Sequence, residues 1–279
     1  MERKTMKIMP PPAPARFLFI LVPLLLLPVR MADAQGPMPL AAQAANYGQP
    51  PSVPAAQGQE PAPGPQPANV GKGIVYVVDG SGRLRLMAND LATTVREAGL
   101  PLEVQEFNWS YGTYRWVSDL RSRSNHNAKG EELAGMILAH RTSLPNAKVF
   151  VITHSAGAAV AIAAAEHLPD GAVDRIIMLA PAVSPSADVQ ACVRASRMGV
   201  DVFYSATDLI SRGLAITGTA DGRNVFSAGA NGFSDSEDGL RQHGYGREMG
   251  RCGHHGGHYG WTRIGFCRDY LCPMLAEGN

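Results

Sequence analysis

The chain has little charge of either sign. Only 18% of its 279 residues are charged, and the formal net charge is +1. This balance excludes the polybasic composition of a nucleic-acid-binding protein. Residues 1–34 hold five of the basic residues and two of the acidic ones, so the remainder carries 20 basic and 22 acidic residues. We therefore expect no partner that is attracted by charge alone, and the length suits one ordinary domain.

Long apolar runs are also missing, apart from one stretch near the N-terminus. That stretch, residues 17–27, follows four basic residues and precedes Ala32-Asp33-Ala34, a small-x-small cleavage signature. Its length of about 11 residues is short of the roughly 20 that span a bilayer. We expect a signal peptide over residues 1–34 and a secreted or periplasmic protein. An uncleaved signal would instead anchor the chain to a membrane.

Residues 35–72 have almost no charge and one aromatic side chain, and they are rich in Pro, Ala, Gln and Gly. Such a segment buries too little apolar surface to offset the entropy of ordering it. A disordered linker is therefore predicted over residues 35–72, and a folded domain over residues 73–279.

Cysteine is scarce, with four residues at Cys192, Cys252, Cys267 and Cys272. An even number in an exported chain allows disulfides, and a bridge such as Cys252–Cys267 would close the base of the C-terminal loop. Free thiols packed as small apolar side chains are the alternative.

Short apolar runs alternate with helical stretches through residues 73–279. This order predicts an α/β fold, with a mostly parallel sheet flanked by helices. The expected strands lie at residues 73–78, 102–108, 148–153, 173–180 and 200–205. The expected helices lie near residues 86–98, 129–143, 156–168, 187–198 and 262–275. The Gly-rich stretch 213–260 is expected to be irregular.

The segment with the clearest chemistry is Thr153-His154-Ser155-Ala156-Gly157, where an apolar strand turns into an Ala-rich helix. A serine at such a turn has strained backbone geometry that lifts its hydroxyl above the sheet, and the residues two before and two after it must be small. Gly157 meets that demand, whereas Thr153 stands where glycine is usual. The helix N-terminus would direct partial positive charge at an oxyanion on Ser155. A plain N-cap serine is the alternative.

On these residues and on the order of its strands and helices, the chain resembles the α/β-hydrolase superfamily over nearly all of residues 73–279. Its size and the lack of an evident lid insertion resemble small esterases. The resemblance implies a Ser-Asp-His triad that acts through an acyl-enzyme on a small or polymeric ester, with no cofactor. An acyltransferase on the same fold and a noncatalytic binding protein are the alternatives.

The resemblance further implies an acid after a late strand and a base before the last helix. Asp208 follows the strand at 200–205 and is the predicted acid; its alternative role is to cap the next helix. Asp221 is the second candidate acid. His258 is the predicted base, and His255 is the alternative.

Two further histidines, His243 and His254, lie in the same stretch but farther from the last helix. His254-His255-x-x-His258 has a spacing at which imidazoles can share zinc. However, the segment is Gly-rich rather than helical and lacks the glutamate of a metalloprotease helix, so no metal is predicted.

Two backbone amides are predicted to bind the oxyanion. One is the N–H of Ala156, and the other belongs to Gly80 or Ser81 in the Gly-rich turn after the first strand. A simple turn is the alternative for that second segment. The aromatic stretch 109–116 would wall the substrate pocket or cover a sheet edge.

Overall fold

The computed structural model describes residues 73–235 and 238–277. The predicted signal peptide (1–34) and linker (35–72) lie outside the described residues, so both stay predictions.

Six parallel strands form one sheet in the order β2-β1-β3-β4-β5-β6, which confirms the predicted α/β class. The strands are β1 (Gly73–Val78), β2 (Leu102–Glu106), β3 (Val149–His154), β4 (Arg175–Leu179), β5 (Val200–Tyr204) and β6 (Leu240–Gly244). The first five are the predicted ones. The expectation of irregular chain throughout residues 213–260 is wrong at β6, because its sequence Leu-Arg-Gln-His-Gly lacks β-branched residues and its strand character comes from pairing with β5.

Helices follow each of the first five strands. They are α1 (Leu86–Glu97), α2 (Trp116–Arg121), α3 (Arg123–Ser143), α4 (Gly157–Ala165), α5 (Gln190–Ala195), α6 (Leu209–Thr217) and α7 (Ala228–Asn231). After β6 come two 3-10 turns, Arg247–Cys252 and His258–Thr262, and three joined helical pieces, Ile264–Phe266, Cys267–Leu271 and Cys272–Ala276. The predicted closing helix is thus segmented, with a wider π-type turn in its middle. Within the described ranges, no helix is both long enough and apolar enough to cross a bilayer.

Alternation along the strands divides the apolar core between the two faces of the sheet. In β1, Ile74 and Tyr76 pack with side chains of α3 and α4, whereas Val75 and Val77 pack with α1 and the closing helical pieces. All six residues of β1 are buried, because a parallel strand between two helical layers has no solvent face.

The disulfide prediction is not confirmed. All four cysteines are free thiols and all four are buried. Cys252 and Cys267 each direct their sulfur at a backbone carbonyl, those of Met249 and Thr262 respectively. The alternative of buried thiols is therefore what the structure contains.

Helices α3 and α4 touch at Gly130, where no side chain fits. A Cβ atom at Gly130 would lie 2.6 Å from the Cβ of Ala163 and 2.7 Å from the nitrogen of Ala164. This close approach holds α3 against the helix that follows Ser155.

We expect Gly130→Val to lower the free energy of unfolding by about 1–3 kcal/mol or more, because the added methyl groups must push the two helices apart. The matched control is Gly135→Ala on the same helix, where a Cβ meets nothing within 4 Å. That control should stabilise the fold by about 0.5–1 kcal/mol through helix propensity. Urea unfolding measures both variants, and equal effects at the two positions would contradict the packing argument.

Candidate active site

The carboxyl ends of the six parallel strands meet at one edge of the sheet. Gly80 follows β1, Ser155 follows β3, Asp208 follows β5 and His258 follows β6. The strand order reverses at β1, because β2 lies on one side of it and β3 on the other. Ligands of open parallel sheets bind at such a reversal. Gly80 and Ser155 stand on the two sides of this position.

Backbone strain is concentrated at the same edge. Ser155 has a φ of 54°, a left-handed conformation that a residue with a Cβ rarely adopts. Its N–H donates to the carbonyl of Leu179 at 2.9 Å, and its carbonyl accepts from Ala182 at 3.0 Å. The end of β4 therefore holds the turn in its strained form. Ser155 is half-buried, whereas its neighbours His154 and Ala156 are buried.

Gly157 permits this turn. A Cβ atom there would overlap the carbonyl oxygen of Val78 and would lie 2.9 Å from that of Asp79. The demand for a small residue thus comes from the end of β1. The side chain of Thr153, which stands where glycine was expected, is fully buried, and its hydroxyl has no partner among the described residues.

The carboxylate of Asp208 makes two sets of hydrogen bonds, one with each oxygen. Oδ1 accepts from the backbone N–H groups of Ile210 and Ser211 at 2.9 and 3.1 Å, which caps α6. Oδ2 accepts from Nδ1 of His258 at 2.6 Å. Burial acts to raise the pKa of Asp208, but the hydrogen bonds from His258 and Ser211 outweigh it and hold the pKa below its usual value. The carboxylate is therefore ionised at neutral pH.

The structure brings His258 to Asp208, and both are buried. Because Nδ1 of His258 faces the carboxylate, the proton lies on Nδ1 and the lone pair of the neutral ring lies on Nε2. The hydroxyl of Ser211 also donates to Oδ2 of Asp208, at 2.7 Å, and it lies 3.4 Å from Nδ1 of His258. Sequence reasoning missed Ser211, because a serine in the first turn of a helix carries no distinguishing signal.

His154 links the turn at Ser155 to the loop that carries His258. Its Nε2 lies 3.1 Å from the carbonyl oxygen of His258, and the two rings are 4.7 Å apart. Burial, followed by the neighbouring His258 ring, lowers the pKa of His154 to about 3. A neutral ring of this kind donates one hydrogen bond and adds no charge beside His258. The side chain thus connects the turn at Ser155 to the loop that carries His258.

The remaining candidates are engaged elsewhere. Asp221 accepts from the backbone N–H and the hydroxyl of Ser184, so it braces a loop. His255 is exposed, and the histidine that contacts Asp208 is His258. His243 pairs with Asp201 at 2.8 Å.

The remaining histidine of this stretch, His254, packs its ring edge-on against that of Trp261, with 3.9 Å between the ring centres. Its Nδ1 accepts from the backbone N–H of Gly256. In the part of the chain that the structure describes, no group of three or more His, Cys, Asp or Glu is arranged to hold a metal ion.

The Gly-rich turn after β1 reaches Ser155. A Cβ atom on Gly80 would lie 3.3 Å from the Cβ of Ser155, so the Gly80–Ser81 backbone borders the serine. Asp119, fully buried in α2, fixes this turn by accepting the N–H of Gly82 at 2.7 Å. Sequence reasoning missed Asp119, because no motif marks a carboxylate in the short helix that follows the aromatic stretch.

The aromatic stretch 109–116 divides between two roles. Trp109 is buried, and its indole N–H donates to the carbonyl of Asp79 at 2.7 Å, which ties the stretch to the end of β1. Tyr114 and Trp116 are exposed beside Gly82. One part of the stretch therefore supports the Gly-rich turn, and the other part faces solvent at its rim.

Asp79 should make stability depend on pH. Burial raises the pKa of this carboxyl to about 6, against the opposing effect of the Ala88 and Met87 amides. The unfolded chain releases the same proton near pH 4. Because the folded chain binds more protons between these values, Asp79 favours folding below pH 4, and this contribution is lost as the pH rises through about 6.

We therefore compare the unfolding free energy of Asp79→Asn with that of the unchanged chain. As the pH rises from 4 to 8, the difference between them should shift in favour of Asp79→Asn by up to about 3 kcal/mol. Urea unfolding at the two pH values measures this difference. An identical difference at both pH values would show that Asp79 ionises normally.

Comparison with solved structures gives matches to α/β-hydrolases. Lipase B from Aspergillus fumigatus is 14% identical over 75% of this chain, with a TM-score of 0.49, and the match spans 54% of the lipase. An α-β serine hydrolase homologue from Coxiella burnetii is 17% identical over 75% of this chain and 88% of its own, with a TM-score of 0.42. A serine hydrolase without a lid from Xanthomonas campestris is 14% identical over 77% and 84% of the two chains, with a TM-score of 0.43.

No family model matches the chain, and no curated protein matches it either. At such identities and TM-scores the structural matches describe a likeness in fold and carry no argument about activity. The architecture is that of an α/β fold with a six-stranded parallel sheet, and the solved structures that resemble it are α/β-hydrolases.

Proposed function

We propose that the protein is a serine hydrolase that cleaves an ester or related acyl substrate, with Ser155 as nucleophile, His258 as base and Asp208 as the acid that orients it. The observation that carries the proposal is the strained backbone of Ser155, with a φ of 54°, at the junction of β3 and α4. Strain of 1–3 kcal/mol at a residue with a side chain persists where the surroundings enforce it, and it clusters at active sites.

The buried pair formed by Asp208 and His258 supplies the base. In the first step Nε2 of His258 takes the proton of the Ser155 hydroxyl while Oγ forms a bond to the substrate carbonyl carbon. The amide of Ala156, the N-cap residue of α4, and an amide of Gly80 or Ser81 would stabilise the resulting oxyanion. His258 then gives its proton to the leaving alcohol as the carbon–oxygen bond breaks.

Deacylation repeats this sequence with water. His258 removes a proton from the water, the hydroxide oxygen attacks the acyl carbon, and the proton returns to Oγ of Ser155 as the acid product leaves. Transfer to an alcohol or amine instead of water would make the same site an acyltransferase. The predicted signal peptide favours a secreted or periplasmic site of action, with small or polymeric esters as substrates.

Labelling with a fluorophosphonate tests the nucleophile. The unchanged chain should be labelled at Ser155 and should hydrolyse p-nitrophenyl acetate. Ser155→Ala should lose both, with a fall in kcat of about 10⁴-fold or more. The control is Ser211→Ala, which keeps the nucleophile and should still be labelled. Labelling that survives in Ser155→Ala would contradict the assignment, and labelling without turnover of any ester would favour acyl transfer.

The pairing role of Asp208 can be separated from its capping role. Asp208→Asn leaves an amide oxygen to cap α6 but loses the carboxylate that fixes the His258 tautomer, so kcat should fall by up to about 10⁴-fold while the unfolding free energy changes little. Asp208→Ala removes both functions and should also cost about 1–2 kcal/mol of stability. Ester hydrolysis and urea unfolding measure the two effects. Full activity in Asp208→Asn would mean that another acid orients the histidine.

A further inference from the structure

Exposed apolar side chains are concentrated on the edge of the sheet that carries Ser155. Among the described residues, fourteen large apolar side chains are exposed. Twelve of them lie in residues 84–86, 111–117 and 209–226 or at Tyr259. These segments follow the carboxyl ends of β1, β2, β5 and β6, which meet at one edge. A soluble surface scatters such residues, so their concentration on one face indicates a binding surface.

Contacts between these segments join them around the site. The guanidinium of Arg121 in α2 donates to the carbonyl of Thr217 at the end of α6, at 3.2 Å. A Cβ atom on Gly82 would lie 3.7 Å from the Cβ of Trp116, so the indole-bearing residue stands over the Gly-rich turn. On the other side, the ring of Tyr259 lies 5.3 Å from that of His258. We call residues 83–86, 111–121 and 208–226, together with Tyr259, the rim.

Helix α6 has the most exposed part of the rim. Leu209, Arg212 and Ile216 are spaced three and four residues apart, so they form one stripe along the helix. Leu209 and Ile216 are each 79% exposed, although the opposite side of α6 already buries Ser211 and Leu214. Two aliphatic side chains so far out of the core are not explained by packing within the domain.

The fully exposed charges of the rim are positive, and its one partly exposed carboxylate, Asp221, is half-buried and paired with Arg223. Arg115, Arg121 and Arg212 are exposed, whereas Asp119 and Asp208 are fully buried. Arg121 and Arg212 donate to backbone carbonyls instead of carboxylates.

Other charged groups of the rim are already paired. Arg83 and Arg85 face Glu106, and Arg223 faces Asp221. The outward face therefore combines aliphatic and aromatic side chains with unneutralised guanidinium groups.

We propose that the rim docks onto an anionic lipid surface, with the indole of Trp116 and the side chains of Leu209 and Ile216 entering the boundary between headgroups and acyl chains. Tryptophan and tyrosine favour that boundary, and arginine beside it pairs with anionic headgroups. A second copy of the chain fits less well, because a two-fold contact would set the same arginines against each other. The proposal concerns binding alone and does not depend on hydrolysis.

The chain offers its own probe for this contact. It has three tryptophans. Trp109 and Trp261 are 2% and 0% exposed, whereas Trp116 on the rim is 52% exposed. Vesicles of phosphatidylcholine and phosphatidylglycerol with brominated acyl chains quench only an indole that reaches the acyl region. The full chain carrying Ser155→Ala keeps the lipid intact during the measurement, so failure of this proposal is distinguishable from failure of the proposed hydrolysis.

With these vesicles the tryptophan emission should shift to shorter wavelength and be quenched, and Trp116→Phe should remove the effect. Leu209→Ser/Ile216→Ser and Arg121→Gln/Arg212→Gln should each raise the lipid concentration for half-maximal quenching about tenfold. The control Leu138→Ser/Arg194→Gln changes an exposed leucine of α3 and an arginine of α5 outside the rim, and it should leave the value unchanged.

Three results would overturn the proposal. The first is the absence of quenching at Trp116, even if the chain sediments with vesicles through another segment. The second is equal quenching in the rim variants and the control. The third is a shift in emission that depends on protein concentration without lipid and is lost in the rim variants, which would identify a second copy as the occupant. Equal quenching by vesicles without phosphatidylglycerol would contradict the role of the arginines.

Discussion

The arrangement of the site depends on one backbone conformation, the left-handed turn at Ser155. Hydrogen bonds to Leu179 and from Ala182 hold that turn against the end of β4, and the missing side chain at Gly157 lets α4 begin directly over the end of β1. If the turn relaxed, Ser155 would move away from Gly80 of the Gly-rich turn and from the N-terminus of α4. A sheet edge, a helix terminus and the proposed nucleophile are thereby placed together by local geometry.

The groups around this turn stabilise the fold and position the chemistry at the same time. Asp208 caps α6 with one oxygen and holds His258 with the other, so the helix and the imidazole share one carboxylate. Asp119 holds the Gly-rich turn by accepting the N–H of Gly82. His154 connects the turn at Ser155 to the carbonyl of His258. Such supporting contacts restrict Ser155 and His258 to a narrow geometry, which the proposed hydrolysis requires.

The parts that the sequence predicted are those with a strong local pattern. The β-branched run of β1 and the strand-turn-helix around Ser155 have recognisable spacing, and Asp208 follows a clear strand. Local patterns did not reveal β6, because its strand character comes from pairing with β5. They did not reveal Asp119 either, because its role depends on a hydrogen bond with Gly82, which lies 37 residues earlier in the chain. Contacts made only by the folded chain leave no trace in a window of sequence.

The most direct test of the account is a crystal structure of the chain after reaction with a p-nitrophenyl phosphonate. We expect a covalent bond from Oγ of Ser155 to phosphorus, with Nε2 of His258 beside the position that the p-nitrophenolate group has left. One phosphoryl oxygen should accept hydrogen bonds from the Ala156 amide and from Gly80 or Ser81. Phosphorus bonded to another residue, or an adduct on Ser155 whose oxygen contacts neither amide, would contradict it.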